Sequence, residues 1–467
     1  MREIRQKPFT SYLPYLLLFA GASVLYWKTV SFDFIPSWDD KEYILDNTYI
    51  QALSIENLKS IFSSSYFANY APLHILSYSV DFALWELNPK GYHLTNVILH
   101  GLNACLAYAA IKKLTGDGKT AVFSAVLFAV HPLNVENVAW VSERKTLLTA
   151  FFSFLSIISY LSFRDRGAWG LYMLSAVFFI LALLSKPLTV VLPLVFLSFE
   201  VFLKKDKRGW AYSVPLFFIS VLAAVIAFRA HLGHSSIKEE TLASEVLFGT
   251  VYPTMLPVFW KYLKLILWPF NLSGFYDAPI YHSFLNPAVA ASLAGIILLF
   301  FLIIRKGGGQ ARFWLFWFWI WVSPVSNIIP LPVYYADRYM YMPAISLFVL
   351  AASVIKAIAK KPPCLTAKTL SYSVFIIITV FYAAIAFGRM DAWRSELAFW
   401  KDTAEKSPNQ DKAHLNLGYS YEMAGMLDEA ESEYLKAVNI YPSPEAVSNL
   451  EMVRVKKSYK KNSITPP

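Results

Sequence analysis

Long apolar stretches with few charges are the feature that most constrains the fold of this chain. An α-helix needs about 20 mainly apolar residues to cross the hydrocarbon core of a bilayer. Only 16% of the 467 residues are charged and 56% are hydrophobic, against roughly 25% charged in a soluble domain. The sequence therefore predicts an all-α polytopic membrane protein with about eleven spans. These are 11–32, 92–113, 120–133 (short, and expected to be tilted or broken), 145–163, 169–185, 187–203, 210–230, 284–304, 313–331, 339–358 and 370–387.

Lys and Arg residues concentrate in alternate connections between the predicted spans. Cytoplasmic loops carry an excess of these residues, so the distribution predicts a cytoplasmic N-terminus. An odd number of spans then places the first long loop and the C-terminus on the far side. The net charge of +10 is a topology signal in this interpretation, and nucleic-acid binding is not expected. The predicted inner side carries Arg2, Arg5, Lys7, Lys112, Lys113, Lys119, Arg164, Arg166, Lys204, Lys205, Lys207, Arg208, Arg305, Lys306, Arg312, Lys356, Lys360, Lys361 and Lys368.

The region after residue 388 changes in composition and follows a repeat pattern. Its small and aromatic residues recur at the offsets of the 34-residue tetratricopeptide repeat, a pair of antiparallel helices. We therefore predict a transmembrane domain, 1–388, and a tetratricopeptide-repeat domain, 389–467. Such a short array is expected to lean on the membrane domain or on a protein partner, and both peptide binding and a purely structural role stay open. The pattern residues are Leu417, Gly418, Tyr421, Gly425, Ala430, Tyr434, Ala437 and Pro442, with Trp400 and Pro408 one period earlier.

A pair of adjacent acids follows the first predicted span. Asp39 and Asp40 lie in the first external loop, 33–91, where carboxylates close to a bilayer are costly and where a long loop tends to carry function. One acid is a candidate general base, while its neighbour would orient an acceptor or bind a divalent cation. The alternative is a solvated turn or a helix N-cap.

A second charged segment, 131–145, lies between two apolar spans, where unpaired charge is expensive. Its polar residues should pair with each other or with a ligand. The cations suit a phosphate, Arg through its planar fork and Lys as a point charge; a structural Glu–Arg pair with a lysine at the interface is an equal alternative. The candidates are His131, Glu136 (a second candidate acid), Glu143, Arg144 and Lys145.

Two further positions share this character. Lys186 lies at the outer end of the fifth predicted span, and Asp337 and Arg338 lie among tyrosines at the start of the tenth. Each alone is typical of an interface anchor. Together with Arg144 and Lys145 they predict a ring of cations on one membrane face, suited to a lipid-linked phosphate.

The sequence gives little support for a bound metal ion or nucleotide cofactor. His74, His93 and His100 lack a reliable metal-ligand spacing, and the sequence has no Walker loop, dinucleotide glycine fingerprint or HExxH motif. No cofactor is assigned with certainty, and a divalent cation at the paired acids stays open.

The segments that carry these residues have a recognisable order along nearly the whole chain. They are Trp38-Asp39-Asp40, Asn69-Tyr70-Ala71-Pro72-Leu73, Asn88-Pro89-Lys90-Gly91-Tyr92-His93-Leu94-Thr95-Asn96 with His100, the segment 131–145, Leu184-Ser185-Lys186-Pro187 and Ala336-Asp337-Arg338-Tyr339. In this order, and followed by the repeat domain, they resemble the bacterial relatives of the transmembrane and tetratricopeptide-repeat O-mannosyltransferases.

The resemblance implies a GT-C type glycosyltransferase in the bacterial inner (cytoplasmic) membrane, with its repeat domain periplasmic. An acidic motif in the first external loop would promote attack of a protein or glycolipid acceptor on a sugar carried by a polyprenyl phosphate. The paired acids of the family map to Asp39 and Asp40. Eukaryotic members often have arginine where Ala71 stands here, so the identity of the sugar, mannose included, does not carry over.

Two rival functions remain compatible with the sequence. One is a non-catalytic membrane scaffold whose repeats recruit envelope proteins. The other is a transporter or polymerase of lipid-linked sugars, with the cations lining a passage. Both differ from a transferase in predicting no acid-dependent addition of sugar to an acceptor.

Overall fold

The computed structural model describes residues 8–66, 69–232, 244–359 and 365–464. Within these ranges the chain is helical, with one isolated β-bridge between Tyr66 and Asn69, so the all-α prediction is confirmed there. Arg2, Arg5, Lys7, Lys360 and Lys361, used above for topology, lie outside the described residues. The α-helices are α1 Pro8–Tyr26, α2 Ile55–Ser63, α3 Pro72–Trp85, α4 Pro89–Thr115, α5 Gly118–Val130, α6 Val135–Ala139, α7 Arg144–Arg166, α8 Trp169–Ser185, α9 Leu192–Phe199, α10 Val214–Leu232, α11 Ser244–Val246, α12 Tyr252–Leu267, α13 Pro287–Lys306, α14 Gly309–Val322, α15 Ile345–Ala359, α16 Leu365–Arg389, α17 Glu396–Lys406, α18 Asp411–Met423, α19 Leu427–Ile440 and α20 Pro444–Ile464.

In the part of the chain that the structure describes, seven helices are long and apolar enough to cross a membrane. They are Tyr12–Ser31, Pro89–Thr115, Val141–Arg166, Pro187–Lys204, Gly209–Ala230, Pro287–Lys306 and Lys368–Trp393. An eighth span results if Gly118–Val130 and Pro132–Ala139, which are bent by 54° at His131, are counted together. The chain is therefore a multi-pass membrane protein. Three predicted spans are helices of only 17, 14 and 15 residues, α8, α14 and α15, and the total of eleven stays a prediction.

The long helix α4 shows how the sequence delimits the spans. The side chain of Asn88 accepts a hydrogen bond from the backbone N–H of Lys90 at 3.2 Å, and Pro89 occupies the first turn, where its missing N–H costs nothing. Gly116 ends the helix with a φ of +66°, a left-handed conformation that glycine adopts without penalty. A Lys113–Asp165 ion pair of 3.2 Å then ties this end of α4 to the corresponding end of α7.

The segment 33–91, which is predicted to be the first external loop, contributes most of a small apolar core. A helical segment, Pro36–Leu45, and the helices α2 and α3 contribute most of its buried residues. This packing places the acids at the beginning of Pro36–Leu45 above the start of α7. The core residues are Phe34, Tyr43, Ile44, Ile50, Ile61, Ile75, Tyr78, Tyr92 and Val141.

Four helices, α17 to α20, follow the last apolar helix. Within this group α18 and α19 pack closely together, and Gly418 permits the approach because a Cβ there would overlap the ring of Tyr434. Gly425, with a φ of +74°, lies in the turn between them. Two helices packed across a small residue are what the repeat pattern requires; the assignment of a tetratricopeptide-repeat domain, and the boundary at residue 389, stay predictions.

Candidate active site

Glu143 is a fully buried carboxylate that gathers three cations, two of them from distant parts of the chain. One of its oxygens lies 2.7 Å from Lys186 Nζ, and the other lies 3.8 Å from Lys145 Nζ and 4.0 Å from Arg338 Nε. Thr146 donates its hydroxyl to the same carboxylate. A buried charge persists only where partners compensate its desolvation, and here the compensation brings three of the predicted phosphate-binding residues together.

The three cations line a cavity of about 520 Å³. Its polar part also includes Asp39, Tyr43 and Tyr339. Its apolar part reaches the outer surface of the protein, where Phe228 and Ile328 are exposed. The apolar lining residues include Leu188, Val190, Val191, Ala224, Ala227, Phe228, Ile328, Ile329 and Leu331. The cavity therefore joins a charged region to a surface of candidate membrane-spanning helix.

The structure separates the two adjacent acids. Asp40 is buried: it accepts hydrogen bonds from the backbone N–H of Ile35 at 2.8 Å, from that of Ser142 at 3.1 Å and from the Ser142 hydroxyl. Burial raises the pKa of Asp40 to about 6. Asp39 instead lines the cavity with a side chain that is 24% exposed and lies 3.6 Å from Lys145 Nζ. Asp40 joins the loop to the start of α7, whereas Asp39 is accessible to a ligand.

Glu136 and Asp337 hold Arg338 in place and do not line the cavity. Glu136 accepts hydrogen bonds from Arg338 Nη1 at 2.6 Å and from the Arg338 backbone N–H at 2.8 Å. Asp337 accepts a hydrogen bond of 2.5 Å from the Tyr276 hydroxyl. Burial and the nearby charge of Glu136 raise the pKa of Asp337 to about 7.

Arg144 and His131 lie in the packed interior, away from the cavity. Arg144 is fully buried, with Nη2 at 2.5 Å from Asp81 and Nε at 2.9 Å from the side-chain oxygen of Asn96. His131 lies at the bend after α5, and its Nε2 is 2.9 Å from the backbone oxygen of Ile266. Of the ten predicted site residues, the structure brings Asp39, Glu143, Lys145, Lys186 and Arg338 together at the cavity.

Sequence reasoning missed two aromatic residues of this site. The Trp140 ring lies close to two cations, 5.6 Å from Lys145 Nζ and 5.5 Å from the guanidinium carbon of Arg338, and the Tyr43 ring lies 5.0 Å from Lys145 Nζ. Cations above aromatic faces are stabilised electrostatically. Tyr43 follows Asp39 by four residues, one helical turn, and that spacing was the available signal.

The residues around Asp39 do not fit a metal ion. Lys145 Nζ is the cationic partner of Asp39 at 3.6 Å and of Glu143 at 3.8 Å, so an ammonium already pairs with both carboxylates of the cavity. Throughout residues 8–66, 69–232, 244–359 and 365–464, no three His, Cys, Asp or Glu side chains are grouped so that they could hold a metal ion. The residues around Asp39 therefore do not provide a set of ligands for the divalent cation that the sequence analysis considered.

Residues 72–234 match the family model described as dolichyl-phosphate-mannose-protein mannosyltransferase. Human protein O-mannosyl-transferase TMTC3 is 23% identical over 91% of this chain and 51% of its own length, and the mouse protein of the same name is 24% identical over the same shares. Protein O-mannosyl-transferase F38B6.6 of Caenorhabditis elegans is 24% identical over 95% of this chain and 65% of its own length.

Over most of its length the chain is therefore similar to protein O-mannosyl-transferases of the TMTC type. It spans about half the length of the human and mouse relatives that it matches. A solved structure of ArnT from Cupriavidus metallidurans bound to undecaprenyl phosphate covers 94% of this chain and 77% of its own, with 13% identity and a TM-score of 0.44. That similarity is too low to show a shared fold.

Proposed function

We propose that this chain is a GT-C type membrane glycosyltransferase, in which Asp39 is the general base and Lys145, Lys186 and Arg338 bind the phosphate of a polyprenyl-phosphate-linked sugar. The observation that carries the proposal is the composition of one cavity. It combines an accessible carboxylate, three cations and a long apolar wall. These are the groups that a lipid-linked sugar phosphate and an attacking hydroxyl require.

The three cations suit a phosphate because they line the cavity and stay partly exposed to it, although Glu143, Glu136 and Asp39 are paired with them. They share Glu143, and Arg338 is paired with Glu136, while each cationic side chain keeps 12–16% of its surface exposed. Fixed cations in a site of low dielectric stabilise charge that develops on a leaving phosphate. Arg338 supplies a planar fork and the two lysines supply point charges.

The apolar wall suits a polyprenyl chain. Ala224, Ala227 and Phe228 belong to α10, one of the candidate membrane spans, and Phe228 is exposed. A lipid tail lying along this wall would leave its phosphate at the cations without leaving the bilayer. Because the tail is already in an apolar phase in the bilayer, its contact with the wall would gain packing and would position the phosphate, without a hydrophobic transfer from water.

The proposed reaction is a direct displacement at the anomeric carbon. The acceptor hydroxyl oxygen forms a bond to that carbon, while the bond from carbon to phosphate oxygen breaks and its electron pair stays on the polyprenyl phosphate. Asp39 takes the acceptor proton. A positioned general base contributes about 10²–10⁴-fold to such a step, and the fixed geometry of the donor and acceptor contributes the rest.

Other predicted catalytic or binding residues have supporting roles in this account. Glu143 and Glu136 orient the cations, Asp40 fixes the loop that carries Asp39, and Arg144 stabilises the start of α7. We propose no metal or other cofactor, because Lys145, Lys186 and Arg338 occupy the electrostatic role.

The proposal includes the location of the reaction. Lys145 and Lys186 lie at the opposite ends of their helical spans from the basic clusters around Arg164 and Lys204, and Asp39 lies beside Lys145. By the positive-inside rule those clusters are cytoplasmic, which makes the cavity and the C-terminal helices extracytoplasmic. In a bacterial cell this is the periplasmic face of the inner membrane.

The sugar and the acceptor are less closely defined. The names of the matched relatives favour mannose and a protein acceptor, but Ala71 lines the cavity at the position where eukaryotic members often have arginine. A protein or glycolipid of the cell envelope is the proposed acceptor, with the C-terminal repeats as a candidate protein-binding region.

Mass spectrometry of envelope proteins and glycolipids tests the proposal against its rivals. Strains would carry the intact gene, a deletion, Asp39→Asn, or the matched control Asp46→Asn, whose side chain is exposed and outside the cavity. We expect hexose-sized mass increments with the intact gene and Asp46→Asn, and none with the deletion and Asp39→Asn. Full restoration by Asp39→Asn would refute the catalytic role and favour the scaffold; altered polysaccharide length without increments would favour a transporter or polymerase.

A further inference from the structure

The helix α17, outside the membrane-spanning part of the chain, contacts both sides of the cavity. One side is the segment that carries Asp39, and the other is the segment 272–277, whose Tyr276 donates a hydrogen bond to Asp337. The two segments are more than 230 residues apart in sequence, and each is held by side chains from α17 or from the turn after it. The contacts suggest a role beyond that of an appended repeat.

The contacts on the Asp39 side are made to the two residues before it. The Ser37 backbone N–H donates to Glu396 at 3.2 Å, and the Trp400 indole N–H donates to the Ser37 hydroxyl at 2.6 Å. The Trp38 ring packs against Phe399 and Trp400, with centroid distances of 5.9 and 5.4 Å. Trp400 and Phe399 are fully buried, so the backbone that precedes Asp39 is fixed by α17.

The contacts on the Arg338 side run through the segment 272–277. Lys406 Nζ donates to the Leu272 backbone oxygen at 2.9 Å, and the Ser407 hydroxyl donates to that of Phe275 at 2.7 Å. In the same segment Tyr276 donates to Asp337, the residue before Arg338. Two hydrogen bonds, from Ser407 to Phe275 and from Tyr276 to Asp337, therefore connect the end of α17 to the residue before Arg338.

Close packing makes this second connection stiff. Gly274 faces the Phe399 ring so closely that a Cβ at position 274 would overlap it. The ring cannot easily yield, because Phe399 is enclosed by Trp38, Trp393 and Trp400. A side chain at position 274 would therefore displace the segment 272–277 from α17.

We propose that α17 is a positioning element of the active site, which sets the placement of Asp39 and Arg338 relative to each other; this inference rests on the proposed function. Its residues touch neither donor nor acceptor. They act through Ser37 and through Tyr276, and an error of about 1 Å in such an arrangement can cost about 10²-fold in rate. The C-terminal region thus contributes to catalysis through α17, in addition to any partner that its later helices bind.

The two connections predict different kinetic defects in the full-length protein, with polyprenyl-phosphate mannose as donor. Trp400→Phe keeps the aromatic packing but removes the donor to Ser37, so kcat should fall about 10-fold with the donor KM unchanged. Ser37→Ala should have the same effect, and the double variant should be no worse than either single variant, because all three remove one interaction. Gly274→Ala should raise the donor KM as well, because it displaces Arg338.

Rescue and control variants separate positioning from loss of folded protein. Phe399→Leu removes the overlapping ring atoms and should restore much of the donor KM in Gly274→Ala. Gly308→Ala, where a Cβ meets no atom within 4 Å, should behave as wild type. The inference would be overturned if the variants lost equal amounts of active protein without a change in KM. It would also be overturned if the effects of Ser37→Ala and Trp400→Phe on kcat were additive. In either case an active wild-type protein would still uphold the transferase. If Gly274→Ala does not accumulate, the comparison of Ser37→Ala, Trp400→Phe and their double variant tests the inference alone. Wild-type protein that transfers no sugar overturns both proposals.

Discussion

Replacing Glu143 by glutamine should destabilise the protein because it removes the only negative charge within 4.0 Å of Lys186 that the described residues provide. With an effective dielectric constant of about 20, the Coulomb attraction is about 6 kcal/mol for the 2.7 Å contact with Lys186 and about 4 kcal/mol for each of the longer contacts with Lys145 and Arg338. Much of this gross attraction offsets the desolvation of the ions. Losing one partner of a buried ion pair therefore has a net cost of about 3–5 kcal/mol.

The measurement is thermal unfolding of purified Glu143→Gln in detergent, with Glu56→Gln as the control, because Glu56 is exposed on α2. We expect a clear decrease in the unfolding temperature for Glu143→Gln alone. Addition of a polyprenyl phosphate should recover part of the loss, since its phosphate replaces the missing anion between the cations. Equal unfolding temperatures for the two variants would refute the view that Glu143 assembles the site.

Three further changes test other parts of the account. Arg144→Lys should lower the free energy of unfolding by about 1–3 kcal/mol through lost hydrogen bonds to Asn96 and Tyr92 and leave the donor KM unchanged; a raised KM would return Arg144 to the phosphate site. Because burial raises the pKa of Asp40 to about 6 from about 3.9 in an unfolded chain, the fold favours its neutral form. The free energy of unfolding of the wild type relative to Asp40→Asn should be greatest below pH 4 and fall by about 3 kcal/mol as the pH rises through 6. A difference between the two proteins that stays constant from pH 4 to 7 would contradict this. Transfer by protein treated with EDTA should equal that of untreated protein, and a loss restored by Mg²⁺ or Mn²⁺ would show a metal requirement.

The sequence predicted the class of the fold and the charged residues of the cavity. Low charge and long apolar stretches are local properties, so the spans could be identified with near-correct limits, as in α4 and α13. The costs of burying charge in a membrane pointed to Glu143, Lys145, Lys186 and Arg338, which the structure brings together. Bends within spans, such as the one at His131, depend on packing and reduced the reliability of the count.

The distinction between cavity residues and their supports could not be read from the sequence. Asp39 and Asp40 are adjacent and chemically identical, and only the tertiary partner Ser142 shows that Asp40 is buried. Arg144 and Lys145 are also adjacent, but Arg144 is buried in an ion pair with Asp81 of α3, whereas Lys145 lines the cavity. The contact of α17 with Ser37 joins residues about 360 positions apart, and no periodicity encodes such a pairing.

Transfer of labelled sugar by the purified protein tests the central claim most directly. Wild type, Asp39→Asn and Asp46→Asn would be given polyprenyl-phosphate mannose labelled in the sugar together with an envelope extract from the deletion strain, and binding of polyprenyl phosphate would be measured in parallel. Our account predicts that Asp39→Asn transfers at least about 100-fold more slowly than wild type with unchanged binding, and that Asp46→Asn transfers at the wild-type rate. Transfer by Asp39→Asn at the wild-type rate would contradict the role of Asp39 as the base and, with it, the proposed mechanism.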